Sequence, residues 1–355
     1  MKKFFIGIDF SKQKFDATAI KAEGITETAP RVYQSFTNDT SGFREFEKWM
    51  KSESNGMEIE SWLICGENTG MYSIPLSKYL YGKGYDLWIE DAYRIKHSLG
   101  IQRQKSDKSD SACIAEYAMR QQDKVSLYKP LSHALEALRE VFLFRHKLVQ
   151  EKTDLAVRIN EKKSVLGESG GVAFMKSVSE RLLESFDEAI AECDAEMQRL
   201  IDSDEELKEN YKIVTSIKGI ALQNASAMLV YTDNFNKFDY DARRLACYYG
   251  IAPFGKDSGT SVHVSPHTSK MANKMLKSLL SEAAKCAIRF CPEMKAYYER
   301  LIANGKAVGV ALNNVKNKLL HFIMAMVKNR QVYDPEYQKK KEAEKISGQL
   351  VLNKC

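Results

Sequence analysis

A short apolar run near the N-terminus ends in a carboxylate. Residues 3–9 read KFFIGID, and this run of aromatic and β-branched residues predicts a buried strand. Asp9 follows the apolar residues directly, so its carboxylate should lie near a core, where an unpaired charge is costly. The fold must therefore place compensating groups near Asp9, and the following segments indicate which groups these are.

The first 120 residues alternate in a way that predicts an α/β layer. Five short runs of strand-forming residues cover 3–9, 14–21, 31–38, 61–67 and 85–91. Helical periodicity is present at 41–52 and 71–84, and a last helix should begin near Asp107. Three strands followed by alternating helices and strands is the order of an α/β layer domain, and it matches a ribonuclease-H-like fold.

The rest of the chain is mainly helical in pattern. Apolar residues step by three and four on both sides of a turn, GESGGVAF, which predicts a long antiparallel helical hairpin that packs on its own domain or self-associates. A helix-hairpin-helix shape follows around SIKGI, then a Gly/Ser-rich loop at 252–270, then helices at 274–291 and about 307–328. We therefore predict four segments: an α/β domain, a helical hairpin, a mainly α-helical domain and a charged tail, at 1–128, 129–210, 211–337 and 338–355.

Composition narrows the class of protein. With 44% hydrophobic and 28% charged residues, the 355-residue chain can bury a core. Its 53 Lys and Arg exceed its 47 Asp and Glu, and the resulting net charge of +6 is compatible with nucleic acid. Its seven cysteines form no CxxC pair, which is typical of reduced thiols in a cytoplasmic protein. No apolar run approaches the roughly 18 residues of a membrane span.

Four acids stand at predicted ends of strands and helices. Asp9 and Glu67 each end a strand, and adjacent strand ends lie about 5 Å apart in a parallel sheet. Asp107 and Asp110 are three residues apart and so project from one helix face. Together they could hold Mg²⁺ or Mn²⁺, hard cations that prefer oxygen ligands. The alternative is that Asp107 helps to cap a helix, that the charge of Asp110 interacts favourably with the dipole of that helix, and that Glu67 is a solvated strand end.

Three quoted stretches carry a resemblance to a known family. GIDFSKQKFDATAI, ENTGMY and KSDKSDSACIAEYA resemble the DEDD transposases of the IS110 insertion-sequence family, whose relatives include pilin-inversion-type invertases and RNA-guided serine recombinases. The resemblance implies a RuvC-like N-terminal domain. It also implies that the catalytic, metal-binding acids are Asp9, Glu67, Asp107 and Asp110.

The C-terminal third resembles the second conserved domain of the same family. VTSIKGI, KDSG and SKMANKMLKSLLSEAA carry this likeness, which implies that Ser258, followed by Gly259, is a nucleophile. Composition alone would not distinguish Ser258 from Ser261 or Ser265. The chain also departs from the family pattern, with alanine at position 221 of the hairpin turn and at position 272 before the next helix.

Basic residues near these motifs are candidate nucleic-acid contacts. The candidates, each of which could equally be a solvated surface residue, are Arg103, Lys105, Lys108, Lys218, Gly219, Lys270 and Lys274. Gly219 is included because a glycine turn lets backbone N–H groups approach a phosphate.

The resemblance implies a transposase or site-specific recombinase that cuts and rejoins double-stranded target and donor DNA. It implies a covalent serine–DNA intermediate, a guiding non-coding (bridge) RNA, and acids and serine supplied by different protomers of a homo-dimer or homo-tetramer. One alternative is a metal-only RuvC-like nuclease or resolvase in which Ser258 is structural. Another is a nucleic-acid-binding protein without catalytic activity.

Overall fold

A computed structural model describes residues 2–22, 31–98, 106–258, 262–269 and 272–336, with the backbone alone at 256–258 and 262–266. The chain forms two compact units, Met1–Pro130 and Leu131–Cys355. The helical hairpin belongs to the second unit. The charged tail predicted at 338–355 lies outside the described residues.

A five-stranded mixed sheet forms the centre of the first unit. Its strands are β1 (Phe4–Phe10), β2 (Lys14–Lys21), β3 (Arg31–Thr37), β4 (Trp62–Glu67) and β5 (Leu87–Glu90). They lie in the order β3-β2-β1-β4-β5, antiparallel from β1 to β3 and parallel from β1 through β4 to β5. All five strands occur where the sequence predicts them, to within two residues at each end.

Helices cover both faces of this sheet. They are α1 (Thr40–Glu53), α2 (Ile74–Gly82), α3 (Ala92–Ser98) and α4 (Asp107–Arg120), of which α3 was not predicted. Because side chains alternate along a strand, β1 serves two cores. Ile6 and Ile8 pack with the aromatic residues of α1, whereas Phe5 packs with α4. Asp9 therefore belongs to the face that α4 covers.

Helix α4 lies directly against β1 at Gly7. A Cβ atom at this position would stand 2.2 Å from both the backbone nitrogen of Ala115 and the backbone oxygen of Ser111. Beside it, the hydroxyl groups of Thr18 and Ser111 share a buried hydrogen bond of 2.8 Å that joins β2 to α4. Because only glycine permits this approach, Gly7 fixes the height of α4 above the sheet and thus the position of its first turn.

Replacing Gly7 with alanine is therefore expected to destabilise the first unit by about 2 to 3 kcal/mol, since the added methyl group meets helix backbone that cannot yield locally. Urea denaturation followed by circular dichroism measures this loss. The matched control is Gly82→Ala, because a Cβ atom there meets nothing within 4 Å. Equal midpoints for the two variants would contradict the close packing of α4 on β1.

The second unit is mainly helical. Its helices are α5 (His133–Leu166), α6 (Gly170–Asp202), α7 (Glu205–Thr215), α8 (Leu222–Tyr231), α9 (Ala242–Tyr248), α10 (Lys274–Phe290), α11 (Pro292–Ala303) and α12 (Val308–Lys328). Helices α5 and α6 form the predicted antiparallel hairpin, in which Arg145 binds Asp194 and, two turns further, Lys152 binds Asp187. Among the described helices, none has the length and apolar composition needed to cross a membrane.

Two expectations for the C-terminal region were wrong. The segment at 252–270, expected to be a loop, contains the antiparallel strands β6 (Pro253–Ser258) and β7 (Val262–Thr268). Its glycine and serine content is typical of a loop, whereas the two strands are formed by backbone pairing that this content does not indicate. The region after it holds three helices rather than two, because α11 begins with Pro292, a residue that suits the first turn of a helix.

The two helices of the predicted helix-hairpin-helix shape are present as α7 and α8, with Gly219 in the turn between them. Gly219 has a φ of +105°, and a Cβ atom there would stand 2.5 Å from the Cβ atom of Cys286 on α10. The glycine is therefore required for the turn and for its packing on α10. Its proposed role in approaching a phosphate stays a prediction.

Candidate metal centre

Asp9 and Glu67 lie side by side at one edge of the sheet. Strands β1 and β4 are parallel, with Ile8 level with Gly66, so the next residues, Asp9 and Glu67, are one strand spacing of about 5 Å apart. Because successive side chains of a strand point to opposite faces, Asp9 and Glu67 both belong to the sheet face that α4 covers. Two carboxylates from different strands therefore share one location.

The first turn of α4 adds Asp107 and Asp110 to this location. Helix α4 begins with a capping box, in which the Ser106 hydroxyl accepts from the backbone N–H of Ser109 and the Ser109 hydroxyl accepts from that of Ser106. The alternative in which Asp107 caps the helix is therefore wrong. With the cap supplied by serine, both aspartates of the first turn can serve another purpose.

The pKa of Asp9 shows that these carboxylates act on one another. Burial, followed by the charges of Glu67, Asp110 and Asp107, raises the pKa of Asp9 from 3.8 to about 6. A fifth carboxylate, that of Asp16, contributes to the same shift. Several negative charges thus converge with too little positive charge nearby to balance them. A divalent cation, which prefers oxygen ligands, would supply that positive charge.

The acids interact electrostatically without forming a finished coordination sphere. Within the part of the chain that the structure describes, no three His, Cys, Asp or Glu side chains are arranged to hold a metal ion. The chemistry of the donors, which are carboxylates only, nevertheless fits a hard cation such as Mg²⁺ or Mn²⁺.

Two residues that the sequence interpretation missed also belong to this centre. Asp16 on β2 lies directly opposite Asp9 on β1 and is only 2% exposed. Its carboxylate accepts a 2.6 Å hydrogen bond from the Tyr33 hydroxyl, and the Lys14 ammonium lies 3.1 Å away. The signal was available, since the short turn between β1 and β2 pairs Asp9 with Asp16 once the strand register is worked out.

Lys14 provides positive charge within the carboxylate group. Its ammonium donates a 2.8 Å hydrogen bond to Asp107 in addition to its contact with Asp16. This bond lowers the pKa of Asp107, and the two carboxylates together raise the pKa of Lys14. Lys14 therefore stays protonated and offsets part of the repulsion between the acids.

The predicted nucleic-acid contacts belong to both units of the chain. Lys108 is exposed on α4, with its ammonium 5.7 Å from the centre of the Tyr33 ring. In the second unit, Lys218 is exposed in the turn before α8 and Lys274 is exposed at the start of α10. Three further candidates lie outside the described residues: Arg103, Lys105 and Lys270.

Ser258 is the last residue of β6, where its backbone pairs with Val262 of β7. It therefore lies at the end of the β6–β7 pairing, in the second unit, whereas the four acids lie in the first. The side chain of Ser258 is not among those the structure describes. Its role as a nucleophile stays a prediction.

A mixed α/β unit with converging carboxylates is thus followed along the chain by a mainly helical unit. Two family models match the chain. One, for DEDD transposases of IS110 elements and described as "Transposase", matches residues 6–163. The other, "Transposase IS116/IS110/IS902 family", matches residues 211–299. The chain belongs to the IS110 transposase family and is an enzyme of DNA transposition or recombination.

Individual relatives agree with this assignment. The pilin gene-inverting proteins of Moraxella bovis and Moraxella lacunata are each 25% identical over 344 residues, covering 94% of this chain and 98% of each relative. An insertion element IS110 uncharacterized 43.6 kDa protein of Streptomyces coelicolor is 30% identical over 122 residues, 34% of this chain and 30% of that protein. The family implies DNA as the substrate and a dependence on divalent metal in general.

Proposed function

We propose that this protein cuts and rejoins DNA as an RNA-guided transposase or site-specific recombinase that uses both a metal centre and a serine. The proposed metal ligands are Asp9, Glu67, Asp107 and Asp110, and the proposed nucleophile is Ser258. The observation that carries the proposal is the convergence of four carboxylates, from two strands and one helix, on one edge of the sheet.

The metal, when bound, would activate the attacking oxygen and stabilise the leaving oxygen of a phosphodiester. The chain holds the ligands for it on rigid elements. Parallel pairing fixes Asp9 beside Glu67, and the contact of α4 with Gly7 fixes the first turn of that helix above them. Lys14 and Tyr33 orient the neighbouring carboxylates.

Ser258 would divide strand exchange into two steps. Its hydroxyl oxygen attacks a backbone phosphorus, a P–O bond of the DNA strand breaks, and the hydroxyl proton passes to the leaving oxygen. Rejoining reverses these events with a hydroxyl group of another strand. Because the phosphodiester is conserved in the covalent intermediate, no external energy source is required.

The proposed partners are target and donor DNA duplexes, a guide non-coding RNA and further copies of this chain. Relatives named for inverting a pilin gene support DNA strand exchange as the reaction. We propose a homo-dimer or homo-tetramer in which acids of one protomer act with the serine of another. The proposal includes a cytoplasmic location, where its DNA substrate is found.

A denaturing gel tests the proposal with the wild-type protein. Labelled duplex DNA from the ends of the element is incubated with RNA transcribed from the adjoining sequence, in Mg²⁺, in Mn²⁺ or in EDTA. We expect a slowly migrating protein–DNA band that requires both RNA and metal and that proteinase treatment removes.

Each other result has a defined meaning. Cleaved DNA without attached protein would favour the metal-only nuclease. A covalent band in EDTA would contradict the metal centre, and a band of equal strength without RNA would contradict RNA guidance. No cleavage under any of these conditions would overturn the proposed function.

A further inference from the structure

The second unit contains a largely buried lysine, Lys316, that has no ion-pair partner among the described residues. Lys316 lies in the middle of α12 and is 8% exposed, between the buried residues Val315 and Leu319. Its side chain makes no hydrogen bond or ion pair with any residue that the structure describes. A lysine side chain that is largely buried is normally paired, because burial removes part of the hydration of its ammonium group.

The groups around Lys316 increase this cost. Helix α10 packs on α12, and it brings Lys277 and Lys285 close enough to act on Lys316. Burial and these two positive charges lower the pKa of Lys316, and no acid among the described residues opposes them. Lys285 is itself paired with Glu282 at 2.8 Å, whereas the half-buried Lys277 has no ion pair with a described residue.

Burial of the methylene groups of Lys316 against apolar residues explains only part of the arrangement of Lys316 and Lys277. Lysine side chains often bury their methylene groups and leave the ammonium in water. That habit does not account for a second lysine on the neighbouring helix that acts on the first and has no ion pair with a described residue. Two like charges held together without an acid are typical of a site that binds an anion.

Both lysines lie close in the chain to residues that contact the segment leading into β6, the strand that ends with Ser258. One helical turn before Lys316, the side-chain amide of Asn313 donates a 2.9 Å hydrogen bond to the carbonyl oxygen of Ile251, two residues before β6. Gly250, with a φ of +63°, lies against Ala272 just before α10. The chain therefore enters β6 from a point held by both α10 and α12.

We propose that Lys277 and Lys316 form a binding site for one backbone phosphate of the DNA strand that the serine hairpin engages. The site rests on the proposed function, which makes DNA the substrate of that hairpin. A phosphodiester would accept charge-assisted hydrogen bonds from both ammonium groups and supply the negative charge that the described residues do not provide there. Such a contact positions the strand without reading its sequence.

Lys316→Met tests the site, because methionine keeps an unbranched, apolar stem and removes the charge. Binding is measured by fluorescence anisotropy with a labelled duplex DNA of arbitrary sequence, in EDTA and over a range of salt concentrations. We expect Kd to rise about tenfold and the slope of log K against log salt to decrease in size by about one. Thermal stability should be equal or higher, because the variant no longer buries an unpaired charge.

The matched control is Lys328→Met, an exposed lysine at the end of the same helix, for which we expect wild-type affinity and salt dependence. Lys277→Gln should reproduce the effect of Lys316→Met. The double variant should bind little more weakly than either single variant, because both lysines contact one phosphate. Should Lys316→Met fail to fold, the half-exposed Lys277→Gln variant still decides the matter.

Wild-type affinity and salt slope in both single variants would overturn the site. Weakened binding to an RNA duplex of the same sequence, with DNA binding unchanged, would overturn its assignment to DNA. The assay requires neither cleavage nor a covalent band. A failure of the serine or metal chemistry would therefore be seen on the denaturing gel and would leave this binding result unaffected.

Discussion

Asp9→Asn is expected to abolish DNA cleavage and, in metal-free solution, to stabilise the protein. Asparagine keeps the shape of the side chain but removes the charge that stands among Glu67, Asp110, Asp107 and Asp16. Loss of a metal ligand removes several kcal/mol of transition-state stabilisation, so the cleavage rate should fall at least about 10³-fold. Single-turnover cleavage of labelled DNA measures this effect.

The pKa of Asp9 determines how the free energy of unfolding depends on pH. The pKa of Asp9 is about 6 in the folded protein and 3.8 as a reference, so the folded state binds its proton more tightly. The stability that protonated Asp9 contributes is fully present below about pH 4 and is lost as the pH rises through about 6. In EDTA at neutral pH, Asp9→Asn should therefore raise the free energy of unfolding by about 1 to 2 kcal/mol, allowing for solvent screening.

Thermal melts in EDTA at about pH 4.5 and about pH 7.5 separate this effect from general changes. The gain should be present at the higher pH and largely absent at the lower one. Added Mg²⁺ should stabilise the wild-type protein and leave Asp9→Asn nearly unchanged. The control is Asp123→Asn, an exposed acid of the same unit, with neither effect expected. An Asp9→Asn variant less stable than wild type at neutral pH in EDTA would contradict the carboxylate convergence.

Ser258→Ala is expected to remove the covalent protein–DNA intermediate entirely. Loss of a nucleophile reduces the rate of a covalent step on the order of 10³–10⁶-fold, which places the protein–DNA band below detection. Ser258 ends β6, and alanine can occupy this strand position while keeping the backbone pairing with Val262. The hairpin should therefore persist, and duplex binding in EDTA should stay at the wild-type level.

Ser265→Ala on the opposite strand β7 is the matched control, and it should form the covalent band normally. A Ser258→Ala variant that still cleaves DNA at the wild-type rate, with no attached protein, would favour the metal-only nuclease. A covalent band from this variant would show that another residue is the nucleophile. Loss of the band in Ser265→Ala alone would move the assignment to β7.

Local pattern predicted much of the first unit. Short runs of aromatic and β-branched residues predicted five strands correctly, because a buried strand needs such residues wherever it lies in the chain. Helical periodicity predicted the long hairpin for the same reason. The prediction failed where local composition was ambiguous, at the β6–β7 hairpin, at α3 and at α11.

The sequence by itself determined most of the elements, the resemblance to two transposase domains and the four candidate acids. Tertiary structure alone decided which groups meet those acids. Asp16 and Lys14 join the centre through strand register, and Gly7 sets the height of α4. Lys316 has no ion pair with a described residue, and the packing of α10 on α12 brings the charges of Lys277 and Lys285 near it. The reason is physical: periodicity records which side of an element is buried, whereas charge and close packing depend on atoms that are distant in the chain.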